Sequence, residues 1–301
     1  MLSFRTGKHT QQLTTLDPVK DHHEMVRIMA EHEFPLDTLI AGELAQLKTF
    51  GIPGIARLLH QTGRYEKEST KRLDDTKAIL REIMQPGPDS PAGREMAAHL
   101  NQIHGFYKIP NDEFLYTLSL FIFETVRWNA TFGWRTMTHN EKEALYREFY
   151  GLGEAMNIQD IPSSYEAFEQ WKIAYEQMHQ AYTPEAGKVT AGILGGLAAL
   201  LPAMFRPFTQ TLVATLINDQ QLLEALGLKA PTVWQQRSII GLMKTRAWLG
   251  RYCHLWEKRS FADSRIVNHY IHYPDGYQRM RLGPKVLVDR IYARKPLEPT
   301  N

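Results

Sequence analysis

A single cysteine, Cys253, occurs in 301 residues, which excludes an intrachain disulfide and suits a reducing compartment. An excess of one charge is also missing. The formal charge is +2, so nothing global favours nucleic acid as a partner. The opening residues, MLSFRTGKHTQQLTT, lack the apolar core of a secretory signal, so a cytoplasmic protein is expected. No apolar run reaches the length of a membrane-spanning helix. The longest uncharged stretch, VTAGILGGLAALLPAMF at 189–205, falls just short and reads as a buried hairpin. Alternating β-branched runs, fixed-period repeats and low-complexity linkers are absent. So are HExxH, paired CxxC and a histidine four residues from another, which removes the usual multi-histidine metal sites.

What remains is helical periodicity, with 43% hydrophobic and 23% charged residues. A chain of this length buries a sizeable core and still has room for a ligand pocket. Asp17-Pro18 predicts a helix to about His32, and 36–50 a second one closed by Gly51 and Pro53. A long helix follows over about 65–84, stopped by PGPDSPAG. Asn111 opens a helix that carries no charge over 114–123 and is therefore expected to be buried on all sides. Thr138 with Glu141, and Ser163 with Glu166, are capping-box signals. Thr183-Pro184-Glu185 starts the glycine-rich segment, and a basic helix spans roughly 232–259. The expected architecture is one all-α domain over 17–284, with irregular tails at 1–16 and 285–301.

Two segments place polar groups where apolar ones belong. In REMAAHLNQIHGFYKIPND, a helical wheel sets His104 inside the stripe of Met96, Ala97, Leu100 and Ile103, and His99 half exposed on its flank. An inward histidine is usually a core imidazole bonded to a carbonyl, and it is also what a haem protein needs, since haem takes one axial histidine from the chain. In ESTKRLDDTKAILREIM, Arg72 falls within the arc of Leu73, Ile79, Leu80 and Ile83, with Thr76 one turn on. A buried guanidinium must find an anion: a protein carboxylate such as Glu124, or a ligand's acidic groups. His22 and His23, adjacent and so divergent, read as surface residues.

The order Arg72-x-x-x-Thr76, then Ile103-His104, then IPNDEFLYTLSLFIFETVRWNATFGWRTMTHNEK, GEAMNIQDIPSSYEAFE and LPAMFRP resembles a known family. It is that of the haem-dependent oxygenases, which includes latex-clearing protein (rubber oxygenase) and the mycophenolic-acid-pathway oxygenase. The likeness covers roughly residues 50–230. It implies a globin-like helical core enclosing one haem b, with His104 as the proximal iron ligand. It also implies that Arg72 and Thr76 lie on the distal side, near the dioxygen site. The family's characterised reactions cleave a carbon–carbon double bond of an isoprenoid chain with dioxygen.

Rubber-cleaving members carry lysine directly before the threonine, where this chain has Asp75. A small apolar or prenylated substrate inside the cell is therefore expected rather than latex. Asp75 itself reads as a partner for Arg72, a buried base or a solvated residue. Lys108 and Arg206 are weaker candidates for contact with haem propionates. Phe114, Leu115, Leu118, Phe121 and Phe123 are candidates for apolar walls or plain core. Cys253 lacks the context of a thiolate ligand. The rival readings are a haem-binding protein of the same fold without oxygenase activity, and a cofactor-free protein at the membrane surface. The basic run between Arg237 and Arg259 provides for peripheral contact with anionic lipid.

Overall fold

Among the described residues, 3–293, the computed structural model holds sixteen α-helices. They are α1 (Lys8–Thr15), α2 (His22–Ile28), α3 (Pro35–Thr49), α4 (Pro53–Thr62), α5 (Arg64–Lys67), α6 (Ser69–Met84), α7 (Pro91–His104) and α8 (Asn111–Phe132). There follow α9 (His139–Ala155), α10 (Tyr165–His179), α11 (Pro184–Leu200), α12 (Thr209–Ile217), α13 (Gln220–Ala225), α14 (Val233–Gly250), α15 (Arg265–Asn268) and α16 (Lys285–Ala293). The strands among the described residues, β1 (Ser3–Phe4) and β2 (Cys253–His254), form one antiparallel pair. The all-α class read from periodicity holds, and the helices form one domain. Its centre is α8, buried along most of its length between α3, α9 and α10, as its uncharged stretch over 114–123 requires.

Several boundaries differ from expectation for local reasons. Asp17 does not start a helix: its carboxylate accepts from the amides of Val19 and Lys20, closing a turn, and α2 begins at His22. The long helix over 65–84 breaks at Glu68 into α5 and α6. Ser164, not Ser163, caps α10, whereas Thr138 and Glu141 form the expected capping box. The basic helix ends at Gly250, short of 259. Neither tail is irregular where described. α1 seats His9 and Leu13 in the interior, and Arg5 pairs with Glu33 at 3.2 Å. α16 buries Val288, and residues 294–301 lie outside the described residues. Each of these segments packs on another helix, α1 beside α2 and α16 against α7.

The stretch 189–205 is not a buried hairpin. It forms most of α11, followed by a 3₁₀ turn over Ala203–Phe208 whose Met204, Phe205 and Phe208 are exposed. The glycines serve close approach: a Cβ at Gly192 would lie 2.3 Å from the Tyr65 carbonyl oxygen. A Cβ at Gly196 would lie 2.9 Å from Ser69 Oγ. α11 therefore presses directly on α5 and the start of α6, the elements that present Tyr65 and Arg72.

The buried acids Glu124 and Glu148 are paired. Glu124 of α8 meets Lys48 at 3.0 Å and Arg127 at 2.6 Å. Burial pushes its carboxyl up, but Lys48, Arg127 and Lys172 outweigh burial and bring it to about 2. His22 and His23 are not free surface residues. Each donates from Nδ1 to one oxygen of the fully buried Glu148, both at 2.8 Å. The Glu148 bond holds His23 above its ordinary value, and burial of Glu148 is outweighed by the two histidines, so that carboxyl lies below its own.

A raised histidine stabilises the fold below its unfolded value of 6.5 and ceases to as pH rises through its folded value. A lowered carboxyl stabilises above 4.5 and ceases to on acidification. Stability from this clasp is therefore greatest between those two values. Urea midpoints at pH 6 and pH 8.5 check this: the wild type is expected to lose more between them than His23→Asn does. Equal losses in both proteins would remove His23 from the account.

Candidate functional site

Ser90 caps α7 by accepting from the Gly93 amide, Pro91 takes the first helical position, and the helix runs to its last residue, His104. α6, packed beside α7, presents Arg72, Thr76, Ile79 and Leu80 toward the same space. Phe114, Leu118 and Phe121 of α8, Gln46 and Thr49 of α3 and Phe50 just after it complete much of the wall. The result is an apolar cavity of about 1080 Å³, counting its open mouth, with Arg72, Thr76 and His104 in its lining.

His104 lies tilted against Phe114, with ring centroids 5.3 Å apart. Its Nδ1 is buried, and among the described residues neither ring nitrogen has a hydrogen-bond partner. The expected carbonyl or carboxylate behind it is therefore not there. Burial lowers its pKa to about 4, and the positive charge of Arg72 adds to that. The imidazole is neutral at physiological pH, the form that binds a metal.

Arg72 is half-buried, with its guanidinium 5.4 Å from the Tyr65 ring centroid. Its Nη1 donates to Thr76 Oγ1, while that hydroxyl donates to the Arg72 carbonyl at 2.8 Å. Glu124, the carboxylate named as its alternative partner, is taken by Lys48 and Arg127. Among the described residues Arg72 makes no ion pair. It is a cation at an apolar cavity with no protein anion to meet it, which favours an acidic ligand group.

Other candidates lie elsewhere. Lys108 is exposed beyond the end of α7, where the chain leaves helical geometry, and does not line the cavity. Arg206 is exposed and donates from Nε to the Leu201 carbonyl at 3.2 Å. Leu115 and Phe123 pack into the core, the latter edge-on to Tyr165 and Phe168. Cys253 sits in β2, away from the cavity lining. His99 is buried, not half exposed, and lies 2.9 Å from the Leu282 carbonyl through Nε2. Asp75 is also buried but turns from Arg72: it pairs with Lys71 and accepts from the Tyr273 hydroxyl at 2.5 Å.

Tyr65 and Glu113 are among the polar groups of the lining not singled out from the sequence. Tyr65 carries the cation–π contact to Arg72. Glu113 lines the mouth, raised above its ordinary value by burial and by Asp112. A Cβ at Gly54 would collide with Glu113 Oε1 at 1.8 Å, a constraint that only the fold reveals.

The donor set is one neutral, unused imidazole and one unpaired arginine on facing helices around an apolar space. That fits a planar, acid-bearing cofactor with one axial ligand, as haem is. Comparison with known proteins gives the family. Residues 36–251 match the model of the catalytic domain of the ER-bound oxygenases mpaB/B′ and rubber oxygenase. The ER-bound oxygenase mpaB′ of Penicillium brevicompactum is 30% identical over 261 residues, covering 79% of this chain and 60% of that protein. Its mpaB counterpart from the same organism is 34% identical over 165 residues, covering 51% and 42%. The mpaB of Penicillium roqueforti (strain FM164) is 29% identical over 209 residues, covering 64% and 70%. The chain thus spans 60% or less of the length of the first two relatives. It belongs to the mpaB/B′ and rubber oxygenase family, through the catalytic domain that defines it.

Proposed function

We propose that this protein is a haem b-dependent oxygenase that uses dioxygen to oxidise a small apolar, prenylated or otherwise unsaturated substrate. The observation that carries the reading is the uncommitted imidazole of His104, facing the same cavity as the unpaired Arg72. In this reading the helices form a globin-like core, His104 would bind the haem iron, and Arg72 and Thr76 would lie near the dioxygen site. Bound haem supplies the iron at which dioxygen is activated. The chain's own part is to hold the imidazole neutral, exclude water with Leu100, Leu118 and Phe121, and aim positive charge and a hydroxyl into the cavity. Arg72 has capacity left for an acidic group, because one of its nitrogens serves Thr76 and no carboxylate claims the rest. Asp75 in place of lysine argues against latex as substrate, since the residue is already bound to Lys71 and Tyr273.

The test is reconstitution of the purified protein with haem, followed by oxygen uptake and mass spectrometry of products with short prenyl compounds and with latex. A Soret band together with carbonyl products from prenyl compounds is expected. A Soret band without turnover leaves the haem-binding reading, and no Soret band overturns both.

Anionic lipid is the proposed surface partner. Among the described residues, no helix is long and apolar enough to cross a membrane. α14 instead shows one face with Trp234, Trp248, Leu242 and Leu249 exposed and Arg237 and Lys244 beside them. No acidic residue occurs from Ala225 to Trp256. Exposed tryptophans flanked by bases suit the headgroup region of an anionic membrane. Co-sedimentation with phosphatidylcholine vesicles containing phosphatidylserine is expected, and the double variant Trp234→Ala, Trp248→Ala is expected to lose it by at least about tenfold. Binding that survives the double substitution, or is equal on vesicles without phosphatidylserine, would count against this surface.

A further inference from the structure

A second cavity, of about 1310 Å³ with its open mouth, meets the first at Gln46, Leu80 and Phe121, which line both. Its walls are apolar, with Leu39, Met84, Leu145 and Phe149 among them. One face of α3 borders it through Leu39, Gly42, Glu43 and Gln46, the spacing of a single helical stripe.

That stripe carries an anomaly. α3 has three charged side chains, and two of them are satisfied. Asp37 accepts from Trp128 Nε1 at 2.7 Å and pairs with Arg246. Lys48 pairs with Glu124 and with Glu176, each at 3.0 Å. Glu43 is different: its Oε2 is buried and, among the described residues, has no hydrogen-bond partner. The Oε1 of Gln46, one turn on, is in the same state. Burial raises the Glu43 carboxyl to about 7, with Lys77 opposing. The bases that also line this cavity have other partners. Lys77 donates to the His269 carbonyl at 2.6 Å, Arg27 lies 3.6 Å from Glu31, and Arg81 bonds Gln85 at 3.1 Å. Two unpaired acceptors, side by side in an apolar cavity, are costly unless a ligand donor meets them.

We propose that this second cavity is the substrate compartment, and that it takes an apolar chain ending in a hydroxyl group, which donates to Glu43. The assignment of the cavity to substrate rests on the oxygenase reading; the binding specificity does not. A hydroxyl satisfies Glu43 whether or not that carboxyl holds its proton, because the group both donates and accepts. A carboxylate at the same place sets one anion against another. From Glu43 the chain runs along Phe149 and Leu145 toward Leu80 and Phe121, where the two cavities meet.

The experiment is calorimetric titration of the purified protein with 1-dodecanol and with dodecanoic acid at pH 8. Dodecanol is expected to bind, and the acid at least about tenfold more weakly, the equivalent of one lost hydrogen bond or more. Glu43→Leu is expected to weaken dodecanol about tenfold, and Glu43→Gln, which keeps an acceptor, by less than about threefold. Gly42→Leu gives a second route. A Cβ there meets no atom within 4 Å, so the helix accepts it while the side chain fills the cavity. It is expected to abolish dodecanol binding with an unchanged or raised thermal midpoint. Absence of dodecanol binding to the wild type, equal affinity for the acid, or full affinity in Gly42→Leu would overturn the proposal. A haem titration on each variant separates the two readings. Haem uptake unchanged in Gly42→Leu with dodecanol binding lost supports distinct compartments. Dodecanol binding by a wild type that takes up no haem keeps the ligand site and sinks the oxygenase.

Discussion

Replacing His104 with alanine is expected to abolish stable haem retention, read as loss of the Soret band after reconstitution and desalting. The lining holds no other histidine and no cysteine. Burial keeps His104 neutral to about pH 4, so its ring is available without proton competition. The substitution also removes an aromatic neighbour of Phe114, and a loss of packing alone would reduce haem content as well. Added imidazole distinguishes the two. An alanine leaves a space at the end of α7, and imidazole from solution is expected to restore the band if the ring acts as a ligand. His99→Ala is the companion variant. It removes a buried hydrogen bond to Leu282, at a cost of about 1–3 kcal/mol in stability, and leaves the cavity untouched. Full haem content with an unshifted Soret band in His104→Ala would end the assignment.

The contrast between these two histidines shows what a sequence can reveal. A helical wheel sees only the stripe of its own helix. It placed His104 correctly because Leu100, the cavity wall and the last turn of α7 lie in that stripe. It misjudged His99 because the cover comes from Leu282, far along the chain, at a turn closed by Gly283 with φ of +112° against Ile103. The sequence left Asp75 open between a partner for Arg72, a buried base and a solvated residue for the same reason. Its partner Tyr273 arrives on the C-terminal segment, while Lys71 turns with it one turn earlier on α6. Arg72 was legible as a charge in an apolar arc, and its lack of a carboxylate was not, since Glu124 had to be seen bound to Lys48 first. Helix identity followed from apolar spacing in α3, α8 and α9. The close passage of α11 over Tyr65 is a contact between segments more than a hundred residues apart. Glu43 was unreadable in principle: an acid on a helix is ordinary until its neighbours prove apolar.

Thr76→Val is expected to leave haem content near that of the wild type and to lower turnover with dioxygen by about 100-fold, the typical cost of deleting one positioned donor at a reacting centre. Valine keeps the shape and removes only the hydroxyl. In the protein that hydroxyl has one proton, and it is given to the Arg72 carbonyl at 2.8 Å, while its oxygen accepts from Arg72 Nη1. To act on a ligand in the cavity the hydroxyl must redirect its proton, and the bond from Arg72 keeps its oxygen in place while it does so. Arg72→Leu therefore tests more than one thing: it removes the unpaired positive charge and the hold on Thr76 together. It is expected to lower haem uptake as well as turnover, because an acidic ligand group would lose its partner. Arg72→Lys keeps the charge, loses the planar fork, and is expected to fall between. The informative quantity is turnover per bound haem. If it is unchanged in Thr76→Val, the threonine has no part in the reaction. If Arg72→Leu binds haem as the wild type does, the guanidinium meets no acidic group of the cofactor, and its charge serves the dioxygen side alone.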